Sequence, residues 1–170
     1  MNKIYLITGP AGVGKSTTSK IIASSLEKSC WIEGDDIYHF VKGGYVSPWL
    51  EGNHLKLFWK NCISIMSNFI NEGFDIVFNY IISKDNVKEI VKNFPNAEIK
   101  FVVLLCDEKT IVERDNLRPE DCRMGERSLI LLKEMQDENF DDNYILYTSN
   151  QTETETVNEI LNQSRFIIKS

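Results

Sequence analysis

Residues Gly9 to Ser16 read Gly-Pro-Ala-Gly-Val-Gly-Lys-Ser and satisfy the pattern G-x-x-x-x-G-K-[ST] at every position. The pattern has a physical meaning. Glycines let the backbone turn tightly enough for its N–H groups to point inward around an anion. The helix that follows aims its positive dipole end at the same point. A lysine there reaches the β- and γ-phosphates of a nucleotide, and the hydroxyl beside it ligates Mg²⁺. Average residue frequencies give such a match on the order of once in a hundred chains of this size. The flanks sharpen it: the apolar run Ile4, Tyr5, Leu6, Ile7 precedes the loop, and Ile21, Ile22 and Leu26 recur on one helical face behind it. Gly9, Ala11, Gly12, Val13, Gly14, Lys15, Ser16 and Thr17 are therefore the expected phosphate-binding residues. Lys15 is expected to stabilise transferring charge and Ser16 to hold the metal.

A strand, a loop and a helix in that order form half of a crossover unit, and the chain repeats the alternation. Apolar segments at Lys3 to Thr8, Cys30 to Gly34, Phe74 to Ile82, Ile99 to Cys106 and Tyr144 to Thr148 read as strands. Helical patterns cover about Ser16 to Glu27, Asn53 to Glu72, Ser83 to Asn93, Asp107 to Leu117, Arg127 to Asn139 and Thr152 to Asn162. Leu57, Phe58, Ile65 and Phe69 are the expected core face of the long helix, and Gly73 its stop. Val41 to Asn53, with Gly43, Gly44, Pro48 and Gly52, reads as a loop. The expected fold is three-layer α/β, with five strands and helices between them.

With 170 residues, 42% of them hydrophobic, the chain can bury one core, and a single domain over 1–170 is expected. A net charge of −6 lacks the basic face that nucleic acid or an anionic membrane demands. Cys30, Cys62, Cys106 and Cys122 are scattered without metal-ligand spacing. No signal-type or membrane-length apolar run is found, so a cytoplasmic protein is expected.

Beyond the loop, three places carry chemistry. Glu33-Gly34-Asp35-Asp36 ends the second strand. Ligands of open α/β sheets bind beyond the strand C-termini, so a carboxylate there can take the proton of an attacking hydroxyl and help hold Mg²⁺-bound water. Asp35 or Asp36 fills that role, the other capping the next turn. Arg114, Arg118, Arg123 and Arg127 cluster in a polar stretch that suits a lid over transferring phosphate. Their bland role is a solvated face paired with Glu113, Asp115, Glu120, Asp121 and Glu126. Val102 to Glu108 is an apolar strand ending in Asp107-Glu108, which reads either as the Walker B segment of an ATPase or as a helix cap. The D-x-x-G and N-K-x-D strings of GTPases do not occur.

Taken together, GPAGVGKST, EGDD, ERDNLRPEDCRMGERS and YILYTSNQTETETVNEIL resemble the small P-loop kinases of the nucleoside and shikimate kinase type, especially gluconate kinases and chloramphenicol phosphotransferases. The resemblance spans nearly the whole chain. It implies a parallel sheet in the order 2-3-1-4-5. It implies ATP and Mg²⁺, with phosphate and metal held by Gly12 to Thr17 and Asp35 acting as base and metal contact. Arg114 resembles the residue stacking on adenine, Arg118 one touching phosphate, and Arg123 and Arg127 lid arginines. Thr148 to Gln151 resemble the turn beside adenine, so Thr148 and Gln151 join the expected nucleotide contacts. The sequence departs from these kinases at the acceptor: His39 lies later than the gluconate kinase histidine, Asn79-Tyr80 replaces an acidic residue or glycine pair, and Asp35 and Asp36 are adjacent rather than split.

The acceptor is expected over about 36–60, and the lid over about 114–128. Asp36, His39, Tyr45, Trp49, Asn79 and Tyr80 are the candidate acceptor contacts beside Asp35, because aromatic walls with a few polar groups suit a small, partly apolar or ring-shaped alcohol. The combined expectation is an ATP-dependent kinase for a small-molecule hydroxyl, a monomer or homodimer with no nucleic-acid or membrane partner. The alternatives are a nucleotide-binding regulatory protein without turnover and an ATPase using Asp107 or Glu108.

Overall fold

In a computed structural model, which describes residues 1–169 and, for Cys122, the backbone only, the chain forms a five-stranded parallel sheet with helices on both faces. β1 (Lys3–Thr8) is central because its apolar side chains fill both faces, and five of its six residues are buried. β3 (Asp75–Asn79) and β4 (Glu98–Leu105) flank it, with Ile4 opposite both Ile76 and Ile99. β2 (Ser29–Glu33) and β5 (Ile145–Tyr147) form the edges, giving the order 2-3-1-4-5 that the resemblance implies. All strands point one way, so their C-terminal ends gather every βα turn on one rim.

Among the described residues six α-helices connect the strands, α1 (Lys15–Ser25), α2 (Gly34–Tyr38), α3 (Leu55–Asn71), α4 (Lys84–Asn93), α5 (Glu108–Asn116) and α6 (Glu126–Asp137), and α7 (Glu153–Asn162) follows β5. α2 is the short turn of helix expected beyond Glu33, but neither aspartate caps it: Glu33 is the N-cap, with no side-chain bond, and Asp35 and Asp36 lie inside the first turn. The core stripe of α3 is Phe58, Cys62 and Met66, spaced by four, rather than the expected set. Phe58 belongs to both and Ile65 packs against the core, but Leu57 and Phe69 stay 51% and 37% exposed: Leu57 lies about 100° around the helix from Phe58, and Phe69 sits in the last turn, where its ring meets Phe74 edge-on. The third strand stops at Asn79 instead of Ile82. There the Ile82 N–H turns aside to the Thr8 hydroxyl (2.9 Å), and Ser83 caps α4 through Asn86. The capping box at Thr152 and Glu155 forms as read, with both reciprocal bonds made.

The chain's end returns to the sheet. Lys100 and Ile167 form an antiparallel bridge, and the buried Lys100 ammonium caps α7 through the carbonyls of Ile160 (2.9 Å) and Leu161 (2.8 Å). Arg165 donates to the carbonyls of Asn143 (2.8 Å) and Ile145 (3.0 Å) at the start of β5, and pairs with Glu159 (2.9 Å).

Candidate active site

The loop between β1 and α1 is fitted against β4. Gly9 has φ +147°, and a Cβ there would lie 2.4 Å from the Leu104 carbonyl oxygen and 2.9 Å from Val13. Only glycine fits this approach. The first turn of α1 carries no acidic residue and no side-chain cap, leaving its N–H groups for an anion. Ser16 and Thr17 are exposed on that turn. Lys15 curls over the loop and donates to the carbonyls of Gly9 and Pro10, both at 2.9 Å. Burial brings its ammonium down to about 8, with the Arg118 charge acting the same way, while Asp35 and Glu33 pull upward. Two carboxylates and the Arg118 guanidinium thus act electrostatically on the loop lysine.

On the far side of the loop, α5 presents Arg114. Its guanidinium donates to the Val13 carbonyl (2.9 Å), the Thr148 hydroxyl (3.0 Å) and the Thr148 carbonyl (3.0 Å). The loop, α5 and the turn after β5 are thereby pinned together around a cavity of about 370 Å³, lined by Gly12, Val13, Gly14, Thr17, Arg114, Thr148 and Gln151 among others. Gln151 lines it while its amide is engaged with α7, donating to Glu159 (2.8 Å) and accepting from Thr156 (3.0 Å).

Across the rim, β2 ends in Glu33. The Trp31 indole donates to the Asn79 amide oxygen (3.0 Å), and the Asn79 amide nitrogen donates to Glu33. Burial pushes the Glu33 carboxyl upward and Asp35 adds to this; Ser16, Asn79 and Lys15 pull it back, and the net direction is up. Gly34 follows because a Cβ there would meet the Tyr80 ring at 2.7 Å. Asp35 and Asp36 then form the exposed first turn of α2.

Asp35 lies in the wall of a second cavity, of about 530 Å³, together with Trp49, Trp59, Tyr80, Arg127 and Glu134. Asp36, His39, Tyr45 and Asn79 do not line it. His39 stacks on Tyr45 (5.5 Å between centroids), and Tyr45 packs edge-on against Tyr38. The Tyr38 hydroxyl donates to the Val46 carbonyl (2.7 Å), so this cluster clips the 41–54 loop to α2. Asn79 is buried, with both amide ends spent on Trp31 and Glu33.

The arginine segment hangs on Asp115, which is 3% exposed. Its carboxylate accepts from the N–H groups of Met124 (3.1 Å) and Gly125 (2.8 Å) and from Arg118 (3.4 Å). Burial opposes its charge, yet the two amides and Arg118 outweigh burial and hold the carboxyl below its ordinary value. Arg123 donates to the Arg118 carbonyl (3.0 Å). Arg127 lies over Trp49, 5.4 Å from the ring centroid, and pairs with Glu134 (3.3 Å). Asp107 caps α5: its carboxylate accepts from the Thr110 N–H (2.7 Å) and hydroxyl (3.0 Å). Its carboxyl is drawn down to about 2, first by Ser149 and then by Thr110.

Residues 6–142 match the family model described as AAA domain, AAA_18. The chain belongs to that family. Among solved structures, this AAA domain is similar to a sugar kinase from Janibacter sp. HTCC2649 (12% identity, 98% of this chain and 96% of that one, TM-score 0.69). It is also similar to a gluconokinase from Sinorhizobium meliloti 1021 (18%, 94% and 89%, 0.64) and to a shikimate kinase from Acinetobacter baumannii (18%, 95% and 91%, 0.55). At such identities the likeness is one of fold: a P-loop kinase-like fold over nearly the full length. A comparison with curated proteins finds no match.

Two residues that this AAA domain places at its rim went unassigned in the sequence. Glu33 was read only as the start of an acidic string; its pairing opposite Asn79 is the missing signal, and that needs the β2–β3 register. Trp59 was hidden in the apolar pattern of α3, one residue after the core position Phe58.

Proposed function

We propose that this AAA domain is an ATP-dependent small-molecule kinase that transfers the γ-phosphate of Mg²⁺·ATP to a hydroxyl group. One observation supports this most directly. The rim holds two cavities, one bounded by the phosphate loop and one bounded by Asp35, and the Asp35 carboxylate acts electrostatically on the Lys15 ammonium of the loop. An ATPase needs only the first; a transferase needs both.

The nucleotide's base side takes the Arg114–Thr148 cavity, and its phosphates take the loop amides and the α1 N-terminus. Lys15 exchanges the Gly9 and Pro10 carbonyls for phosphate oxygens and stabilises the charge that moves during transfer. Among the described residues no three His, Cys, Asp or Glu side chains converge into a metal cage. Mg²⁺ does not need one, since it is held by one or two protein oxygens, substrate phosphates and water. The exposed Ser16 hydroxyl and the neighbouring Asp35 and Glu33 carboxylates offer those oxygens. When bound, the ion neutralises phosphate charge and aligns the γ-phosphate. Asp35 orients the acceptor hydroxyl and takes its proton, while Arg118, Arg123 and Arg127 close over the phosphates. Thr110 and its own helix N-terminus occupy Asp107, which supports the capping role over the Walker B one.

The test is incubation with γ-labelled ATP, Mg²⁺ and a small-molecule cell extract, with labelled products read by mass spectrometry. A phosphorylated metabolite whose formation falls about 10²–10⁴-fold in Asp35→Asn, with nucleotide affinity unchanged, is the expected result. Free phosphate as the sole product, abolished by Asp107→Ala and untouched by Asp35→Asn, would sink the proposal.

A further inference from the structure

The acceptor cavity has a composition that narrows its ligand. We infer that the acceptor is a neutral alcohol carried on a flat ring, stacked between Trp49 and the Trp59–Tyr80 wall, and that sugar acids and polyols are excluded. The inference rests on the kinase reading above for its word "acceptor", but not for the chemistry of binding.

Three features carry it. The first is shape. Trp49, Trp59 and Tyr80 contribute aromatic surfaces to a cavity of about 530 Å³, and Leu55, Ile81 and Leu131 fill the wall between them. A cavity of that size takes a molecule of one or two rings. Trp49 is 59% exposed, an unusual position for the largest apolar side chain, and a flat ligand would cover it.

The second is charge. A carboxylate-bearing acceptor needs an arginine fork or paired cations. Arg127 is the only arginine in this wall, and its guanidinium is shared between Glu134 and the Trp49 face. The other arginines of the rim are engaged with Val13 and Thr148, with Asp115, and with the Arg118 carbonyl. Lys56 is the other cation of the wall, and Asp35 and Glu134 balance the two. An anionic ligand would gain no net attraction.

The third is hydrogen-bonding capacity. Each hydroxyl of a polyol must find partners or lose those it had in water. Ser83 and Asn86 line the cavity, but the Ser83 hydroxyl and the Asn86 amide oxygen are spent on each other at 2.8 Å as part of the α4 cap. Asp35 is the exposed acceptor at the rim for the reacting hydroxyl, and the rest of the wall is predominantly apolar.

The test is binding without ATP, so that turnover does not enter. Intrinsic tryptophan fluorescence and calorimetry are run on the full chain with 2-(4-hydroxyphenyl)ethanol and thymidine as flat-ring alcohols, and gluconate, shikimate and glucose as competitors in kind. At least one flat-ring alcohol is expected to saturate, at least tenfold more tightly than every competitor; which of the two does so separates an arene from a nucleobase. Trp49→Ala is expected to weaken it about tenfold, the size of one stacked contact, and Trp49→Phe by about threefold or less. Because Trp49 is largely exposed, neither change threatens the fold. Tighter binding of gluconate, shikimate or glucose overturns the inference. So does a lack of saturation by both ring alcohols up to ~10 mM, a Kd too weak for a built site, or binding indifferent to Trp49→Ala. Transfer from γ-labelled ATP is then measured separately on whatever binds. Binding with no transfer removes the kinase reading and leaves the ring-alcohol assignment standing.

Discussion

Gly34 sits where the rim has little room, and replacing it by alanine gives a prediction that can be sized from distances. The new Cβ would stand 2.7 Å from Tyr80 Cδ2 and 2.8 Å from both its Cβ and Cγ. An ordinary contact begins near 3.4 Å, so the ring must retreat by about 0.7 Å. Little lies behind it to yield. Phe58 is 4.4 Å from the Tyr80 ring by centroids and Trp59 is 5.9 Å away, while the Tyr80 N–H is tied to the Ile7 carbonyl of β1 at 3.3 Å. Overpacking of this kind costs about 1–3 kcal/mol. In urea, Gly34→Ala is expected to lower the unfolding midpoint by that amount with an unchanged slope. A second change, Tyr80→Gly, removes the obstructing ring together with the Cβ that would also stand 2.8 Å away. The double variant should therefore lose at least about 1 kcal/mol less than the two single variants added together. Affinity for a fluorescent ATP analogue should stay within about twofold, because Gly34 does not line the nucleotide cavity. A Gly34→Ala protein as stable as the parent, or strict additivity with Tyr80→Gly, would refute the reasoning.

Two further outcomes follow from the same rim. Asp115→Asn leaves the Met124 and Gly125 N–H groups facing an amide instead of a buried carboxylate; a loss of about 2–4 kcal/mol is expected by chemical denaturation, with faster proteolysis between Leu117 and Gly125. A change below ~0.5 kcal/mol would show that the segment is held by something else. Burial brings Lys15 down to about 8, so above that pH the free protein sheds this proton while a phosphate-bound lysine keeps it. ATP binding at pH 9 should then take up a proton and weaken by at most about tenfold per further pH unit, as read by calorimetry in two buffers of different ionisation heat. Lys15→Met should abolish the uptake, and a wild-type protein that takes up none removes the assignment.

What the sequence disclosed depended on how local the physics was. The phosphate loop was legible because eight consecutive residues carry its whole specification, and the central strand because its apolar run is unbroken. The capping box at Thr152 needed only a spacing of three. Features made by register were not legible. Asn79 was expected to touch the acceptor, yet β2–β3 pairing sets it opposite Glu33 and spends its amide on Trp31 and Glu33. Asp115 had the look of a solvated partner for arginine; it is instead the buried post on which the arginine segment hangs, because that segment folds back over it. Leu57 entered the expected core by hydrophobicity alone, whereas the helix chooses its inner face by angle, and Phe69 has the right angle but lies in the last turn, at the margin of the core. The wall of the cavity beside Asp35 draws Trp49, Trp59, Tyr80 and Arg127 from four separate segments, and no window along the chain holds them together.

The arginine at the chain's end bears on what the sheet can do in company. An edge strand exposes backbone groups on which another chain could build, and such edges are the usual seeds of misassembly. β5 is three residues long, and Arg165 already occupies the Asn143 and Ile145 carbonyls beside it, anchored by Glu159 on α7. A foreign strand seeking that edge would have to displace a charged clasp and find a template of one turn's length. This flank of the sheet is thereby closed to growth, without a covering helix and without a proline.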